Sequence, residues 1–179
     1  ALPQVSTRSE QQQLGVQFHQ LMQQRELGLE IQPLLADNPQ LQRWFHHFQD
    51  FPPPMITGTR QSEHPCTLAF QDFILVAVYD LLIQGPDQAQ IIDWKTYRRP
   101  PYTQTLQQHW QTRLYPFLLA ETSQYQPEQI SMIYWFAEPS SSSPPQGHWI
   151  AIPYSAQLHQ QTQADLANLL TPLHQWIQD

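Results

Sequence analysis

The sequence predicts an α/β fold, an α+β sandwich in which helices flank a central mixed β-sheet. Apolar residues recur at helical spacing near both ends of the chain, whereas the middle holds three strand-like runs separated by turn signals. A further helical segment, two more strand-like runs and a closing helix complete the order. This order of helices, three-strand meander, helix, two strands and helix predicts the sandwich.

Two helices are predicted before the first strand. Apolar residues lie on one helical face from Ser9 to about Leu27, and Gly28 is typical of a helix stop. Asn38-Pro39 predicts the start of a second helix that continues to about Phe48, because proline favours the first turn of a helix. The prolines at 52–54 end this helix.

Three strands follow, predicted over Glu63–Phe70, Phe73–Gln84 and Ala89–Thr96. The second is apolar on both faces, which is typical of an interior strand. The segment 85–88, Gly-Pro-Asp-Gln, predicts a turn between the second and third strands.

The C-terminal half predicts a helix from about Thr103 to Ser123, kinked by Pro116. Strands are expected at Ile130–Ala137 and His148–Tyr154, and a last helix from Ala156 to about Ile177. A chain of 179 residues suits one domain, so we expect a single domain over residues 1–179.

The chain contains one lysine, Lys95, two residues after Asp93. Residues two apart on a strand share a face, so these side chains project together. Closing a hairpin on the 85–88 turn sets Asp80 directly opposite Asp93. Facing carboxylates repel one another, and a divalent cation bound beside Lys95 would compensate this repulsion and the cost of burying the charges.

A second interpretation of these residues needs no metal. Asp93 and Lys95 then form an ion pair, and Asp80 is a solvated residue at a strand edge. Glu63 is either a further carboxylate of the site or, as its place at a strand edge favours, a surface residue. The apolar run around Asp80 favours the metal site, because an interior strand does not leave a carboxylate in solvent.

Charge and composition limit the classes of function. The formal net charge of -7 argues against wide, nonspecific binding to nucleic acid. A local basic strip remains, formed by Lys95, Arg98, Arg99 and Arg113. The single Cys66 excludes an intrachain disulfide, a four-cysteine zinc site and a cysteine-held iron–sulfur cluster within this sequence. We expect a cytoplasmic protein, because the sequence has no signal peptide and no apolar stretch of transmembrane length.

Several motifs occur in the order and on the elements that one nuclease family shows. They are Gly15-x-x-x-His19 on the first helix, Asp80 in the second strand, Asp93-x-Lys95 in the third and Gln111-x-x-x-Tyr115 on the next helix. In this arrangement the chain resembles the PD-(D/E)XK nuclease superfamily, and its RecB-type exonuclease branch in particular. The resemblance implies a restriction-endonuclease-like αβββαβ core.

The sequence departs from this family pattern at three places. Ala77 stands where a glycine is usual, and the cysteines of the cluster-binding members are absent, so no iron–sulfur cluster is expected. Members usually begin with a further helix containing Cys-Pro, and this sequence opens after it, at Ala1, without an initiator methionine. We therefore expect a nuclease-like domain that lacks an N-terminal segment.

The resemblance implies a role for each motif residue. The metal ligands would be His19, Asp80, Asp93 and the backbone carbonyl of Trp94, and the ion would be Mg²⁺ or Mn²⁺. Asp80, Asp93 and Lys95 would form the catalytic set, with Lys95 orienting or helping to deprotonate the attacking water.

Further residues are implied as substrate contacts. Gln111 and Tyr115 share one helix face and would hold the substrate phosphate or the Lys95 side chain. Arg98, Arg99 and Arg113 would contact phosphates.

The resemblance thus implies a divalent-metal-dependent nuclease that hydrolyses DNA from ends or on single strands. Two alternatives stay open. One is a catalytically weak nucleic-acid-binding module that serves a larger DNA repair or recombination complex with protein partners. The other is a purely structural domain, which leaves the solitary Lys95 without a role.

Overall fold

A computed structural model describes residues 10–100, 103–139 and 145–178. Its longer helices are α1 (Glu10–Glu26), α3 (Pro39–Asp50), α5 (Trp110–Thr122) and α6 (Ala156–Gln178), with two short helices, α2 (Gln32–Leu35) and α4 (Thr103–Gln108). The strands are β1 (Thr59–Phe70), β2 (Phe73–Gln84), β3 (Ala89–Arg98), β4 (Ile130–Glu138) and β5 (Trp149–Pro153). None of the described helices has both the length and the hydropathy needed to cross a membrane.

The strands form one five-stranded sheet in the order β1-β2-β3-β4-β5. Strands β3 and β4 are parallel and the other neighbouring pairs are antiparallel, so the sheet is mixed. The segment that joins the parallel pair holds α4 and α5, as a parallel connection requires. The predicted fold class is confirmed.

Each face of the sheet has its own apolar core. On one face, Phe18 of α1 stacks on Trp135 of β4 at 5.6 Å between ring centroids, and Phe48 of α3 packs against both Trp135 and Trp94. On the other face, α5 and α6 cover β-strand residues, with Phe117 and Leu166 among the buried side chains. These two layers fix α1 and α5 on opposite faces of β3.

One helix differs from its prediction. The helix predicted over 103–123 is divided at His109, whose extended backbone separates α4 from α5, and α5 continues through Pro116. The predicted start of the first helix at Ser9 lies outside the described residues.

The second strand was predicted to be an interior strand, and β2 does lie between β1 and β3. The first half of its apolar run is nevertheless not covered on both faces. The side chains of Ile74, Val76 and Val78 are 74%, 55% and 41% exposed. They alternate with Ala77 and Tyr79, which are buried in the core beneath α5. The first half of β2 therefore pairs with β1 as a ribbon that no described helix covers on the α1 side.

Candidate active site

The sheet forks at Asp80 and Asp93. The ladder between β2 and β3 runs from Gln84 opposite Ala89 to Leu81 opposite Ile92, and Asp80 and Asp93 occupy the next positions. This confirms the hairpin register predicted from the turn at 85–88. The Trp94 amide donates to Asp80 Oδ2 at 2.7 Å. Beyond this point β2 continues beside β1 and β3 continues beside β4, so a cleft opens at the two carboxylates.

Three potential metal ligands meet at the fork, from three elements. His19 of α1 places Nδ1 3.3 Å from Asp80 Oδ1. Glu63 of β1 offers a third group, and one ligand atom from each of His19, Glu63 and Asp80 lies within 4.8 Å of the others. The Asp80 side chain is 12% exposed, so it is not a solvated edge residue.

Glu63 differs from its expected role as a surface residue. The β1–β2 register sets Ser62 opposite Leu81 and His64 opposite Tyr79, so Glu63 lies at the level of Asp80. Its backbone has a positive φ of 50°, which interrupts the ladder at this position. A side chain that the sequence assigned to the strand edge is thereby brought to the candidate metal ligands.

Asp93 and Lys95 form the other half of the site. Lys95 Nζ lies 2.6 Å from Asp93 Oδ2 and donates to Gln111 Oε1 at 2.9 Å. Gln111 in turn donates from Nε2 to Asp93 Oδ1. The Lys95 ammonium also lies 5.3 Å from the centre of the Tyr134 ring. These contacts hold the ammonium at the fork, beside the ligands from α1, β1 and β2.

Burial and crowding of negative charge shift the pKa values here. Burial, together with the charge of Asp80, raises the pKa of Asp93 to about 6, and Lys95 only partly offsets this. Burial and Asp80 also raise the pKa of Glu63. The pKa of Lys95 is raised, because attraction to Asp93 outweighs the effect of burial, and the amine stays charged. Burial lowers the pKa of His19, but the hydrogen bond to Asp80 and the charge of Asp80 together outweigh it, so the pKa of His19 is raised overall.

The donor set fits a divalent cation. It combines one imidazole with carboxylates on neighbouring strands, which are ligands that Mg²⁺, Mn²⁺ and related ions accept. Asp93 Oδ2 is also a buried oxygen for which the described residues supply no aligned hydrogen bond, despite the nearby ammonium. A cation at the fork would compensate the charge that raises these carboxyl pKa values.

The remaining motif residues lie around this centre. The Trp94 indole is buried between α3 and β4, and its amide holds Asp80. Tyr115 lies one turn after Gln111 on α5, and the two side chains form a hydrogen bond. The backbone carbonyl of Tyr115 accepts a hydrogen bond from the Tyr79 hydroxyl. Gln111 and Tyr115 therefore lie on the α5 side of Lys95.

The three candidate phosphate-binding arginines do not form one strip. Arg98 is exposed at the end of β3 and lines a groove that also contains Glu138. The Arg99 amide donates to the Glu138 carbonyl at 2.9 Å. Arg113 forms an ion pair with Asp165 of α6 and has a side chain only 14% exposed, which makes it the least favoured of the three for phosphate contact.

A cavity of about 710 Å³ opens directly on the candidate metal ligands. His19 and Glu63 form part of its wall, and Val16, Thr96 and Tyr97 form other parts. Gly15 lies where α1 crosses the end of β3, and a Cβ at this position would come within 3.0 Å of Thr96 Oγ1. The absence of a side chain at Gly15 therefore lets α1 approach β3 and brings His19 to Asp80.

Replacing Gly15 by alanine should weaken Mn²⁺ binding by roughly tenfold, because the added Cβ would lie 3.0 Å from Thr96 Oγ1 and we expect α1, which carries His19, to move slightly away from β3 to relieve this contact. The alanine raises helix propensity by up to about 1 kcal/mol, so the protein should remain folded. Isothermal calorimetry on the wild type and the variant measures the affinity. Gln13→Ala, an exposed change on the same helix, is the control, and equal affinities in all three proteins would contradict the proposed role of Gly15.

Comparison with known families agrees with this geometry. The sequence matches the family model for the PD-(D/E)XK nuclease superfamily over residues 1–178. No individual curated protein matches it. Since the family match covers nearly the whole sequence and the fold and the fork carry the corresponding residues, the chain belongs to the PD-(D/E)XK nuclease superfamily.

Proposed function

We propose that this protein is a divalent-metal-dependent nuclease that hydrolyses phosphodiester bonds of DNA, acting at ends or on single strands. The observation that carries the proposal is the Lys95 ammonium, which Asp93 and Gln111 hold beside the cluster of His19, Glu63 and Asp80. Members of the superfamily are mostly metal-dependent nucleases. Placement in the RecB-type branch and a role in DNA repair or recombination with protein partners rest on the motif resemblance. The cytoplasmic location is the expectation from the sequence.

The proposed ligands of the cation are His19, Glu63, Asp80 and Asp93, with the Trp94 carbonyl completing the set. A bound divalent cation supplies a Lewis acid for the scissile phosphate and lowers the pKa of the attacking water. The imidazole of His19 shifts the preference of the site from Mg²⁺ towards Mn²⁺.

Lys95 contributes to the reaction through its charge and its N–H groups. Its ammonium stays protonated beside Asp93 and offers donors to the oxygen atoms on which negative charge grows as the phosphorus becomes five-coordinate. Asp93 and Gln111 fix the direction of these donors before substrate arrives. Such preorganisation is effective because little reorientation is needed during the reaction.

The substrate contacts are proposed from position and charge. Arg98 ends the strand that carries Lys95 and Arg99 follows it directly, and these two arginines are the proposed contacts to neighbouring phosphates. Gln111 holds Lys95 from the α5 side of the site, and Gln111 and Tyr115 are the proposed contacts to the scissile phosphate from that side. Arg113 is the weakest member of this set because Asp165 already neutralises its charge.

The direct test is cleavage of end-labelled DNA by the purified protein. Single strands, blunt duplexes and a matched RNA are incubated with Mn²⁺, Mg²⁺ or a chelator, and products are resolved by length. We expect cleavage of single-stranded DNA with Mn²⁺ and none with chelator. Binding of DNA without cleavage under any metal would instead favour the nucleic-acid-binding module.

The arginine pair makes a prediction about salt. Replacing Arg98 and Arg99 together by alanine should weaken binding to single-stranded DNA and lower the slope of log affinity against log salt by about 1.4, since each phosphate contact contributes about 0.7. Fluorescence anisotropy across a salt series, with Ca²⁺ as a non-cleaving ion, measures this slope. Arg25→Ala, at the far end of α1, is the control. An unchanged slope would place the phosphate-binding surface elsewhere.

A further inference from the structure

The cavity at the fork has an unusual lining for a nucleic-acid site. None of its described lining residues is a lysine or an arginine, and the titratable groups of the metal site in this wall are the carboxylate of Glu63 and the imidazole of His19. A phosphate inside the cavity would therefore meet no lysine or arginine side chain from this wall. Any substrate portion that enters beyond the metal ligands must gain its affinity from uncharged contacts.

Apolar and aromatic side chains are exposed in this cavity. Val16 of α1 is 52% exposed and Tyr97 of β3 is 46% exposed, and both belong to its wall. Apolar and aromatic side chains in the wall of a cavity suit contact with an uncharged part of a ligand.

Tyr97 is fixed as well as exposed. Its ring packs edge-on against Phe136, with 5.8 Å between ring centroids and an interplanar angle of 70°. It lies two residues after Lys95 on the same strand. The ring is thus held by its neighbour at a position close to the atoms that would act on the phosphate, which suits a stacking platform.

We propose that this cavity binds an unpaired base of the nucleotide next to the scissile phosphate, with Tyr97 as the stacking surface and Val16 as a second apolar wall. The inference rests on the proposed function and adds the substrate class and the residue that selects it. Every base presents a flat face, so such contacts are tolerant of sequence and require an unstacked base.

The charge distribution favours a single strand over a duplex. A duplex keeps its bases stacked inside and binds proteins mainly through its phosphates, which need cationic partners. The cavity wall lacks such partners among the described residues, whereas the bases of a single strand can turn into it. Tyr97 is therefore a specificity-determining contact for unpaired nucleic acid.

The test separates base contacts from phosphate contacts. Binding of a short fluorescein-labelled oligothymidylate, an abasic strand of equal length and a blunt duplex is measured by anisotropy, with Ca²⁺ in place of Mn²⁺. The proteins compared are the wild type, Tyr97→Ala, Tyr97→Phe and Leu169→Ala, the last removing an apolar side chain that is 52% exposed on α6. Thermal unfolding of each variant confirms that it is folded.

We expect the wild type to bind oligothymidylate more tightly than the abasic strand and the duplex. Tyr97→Ala should weaken oligothymidylate binding by roughly tenfold and leave abasic binding unchanged, because stacking on an aromatic ring has about this effect per base. Tyr97→Phe, which keeps the ring, and Leu169→Ala should both bind as the wild type does.

Equal affinity of the wild type for oligothymidylate and the abasic strand would overturn the proposal, as would an unchanged affinity in Tyr97→Ala. Cleavage with Mn²⁺ is measured separately on the same strands. A protein that cleaves DNA but shows no base dependence refutes the base site alone. A protein that binds bases through Tyr97 but never cleaves refutes the nuclease function alone.

Discussion

Replacing Lys95 by alanine should reduce phosphodiester cleavage by at least roughly a hundredfold while leaving the affinity for Mn²⁺ intact. The rate falls because the variant lacks a hydrogen-bond donor that points at the oxygen atoms on which negative charge develops. Removing a single preorganised donor has an effect of about this size. Metal affinity should be kept because an ammonium has no lone pair to coordinate a cation. Single-turnover cleavage and calorimetric titration of Mn²⁺ measure the two quantities on one preparation.

The ion pair with Asp93 requires a second variant. Removing Lys95 leaves the buried Asp93 without its cationic neighbour, which costs stability in the metal-free protein. Lys95→Arg keeps the charge and should remain folded, yet it should still cleave poorly because the planar guanidinium presents its donors differently. Near wild-type cleavage by Lys95→Ala would remove Lys95 from the mechanism.

The core of the site follows from the sequence because turns fix strand register. The turn at 85–88 joins two strands without a bulge in the ladder, so counting outward from it places Asp80 at the level of Asp93. The same counting from the turn at Gln71 and Asp72 sets Glu63 at the level of Asp80. The sequence therefore contained a signal for Glu63, because a residue of the edge strand β1 can still face Asp80 across the ladder.

Other features depend on contacts between elements that are distant in sequence. Arg98 and Arg113 are near one another in the chain, but β3 carries Arg98 towards Glu138 and α5 carries Arg113 to Asp165. The exposure of Ile74 and Val76 depends on which part of the sheet the described helices cover, which the apolar pattern of β2 does not record. In both cases the packing between distant elements, and not the local sequence pattern, determines where the side chain lies and whether it is exposed.

The largest effect on metal binding is expected from Asp80→Asn. Asp80 hydrogen bonds with His19, faces Glu63 and holds the Trp94 amide, so it connects the candidate ligands from every strand and helix at the fork. Loss of its charge should weaken Mn²⁺ affinity by well over tenfold, because replacing a residue that only orients a ligand already lowers metal affinity by about 10- to 100-fold. Cleavage should be lost with it.

The same substitution should not destabilise the metal-free protein, and we expect it to stabilise that form by roughly 1 kcal/mol. The charge of Asp80 raises the pKa values of Asp93 and Glu63, so the three carboxylates repel one another when no cation is present. An asparagine oxygen can still accept from the Trp94 amide, which keeps the backbone contact while removing the repulsion. Active sites commonly lower stability in this way.

Thermal unfolding with chelator and with saturating Mn²⁺ distinguishes the two effects of Asp80→Asn. The wild type should gain about 2.7 kcal/mol when free Mn²⁺ reaches a hundred times its dissociation constant, whereas the variant should gain almost nothing. Asp87→Asn, which removes one charge from an exposed turn, is the matched control and should respond to Mn²⁺ as the wild type does. A variant that is less stable than the wild type in chelator would mean that Asp80 serves the fold through Trp94 and His19. An undiminished gain with Mn²⁺ would mean that the cation binds without Asp80, and the fork would then lose its role as the metal centre.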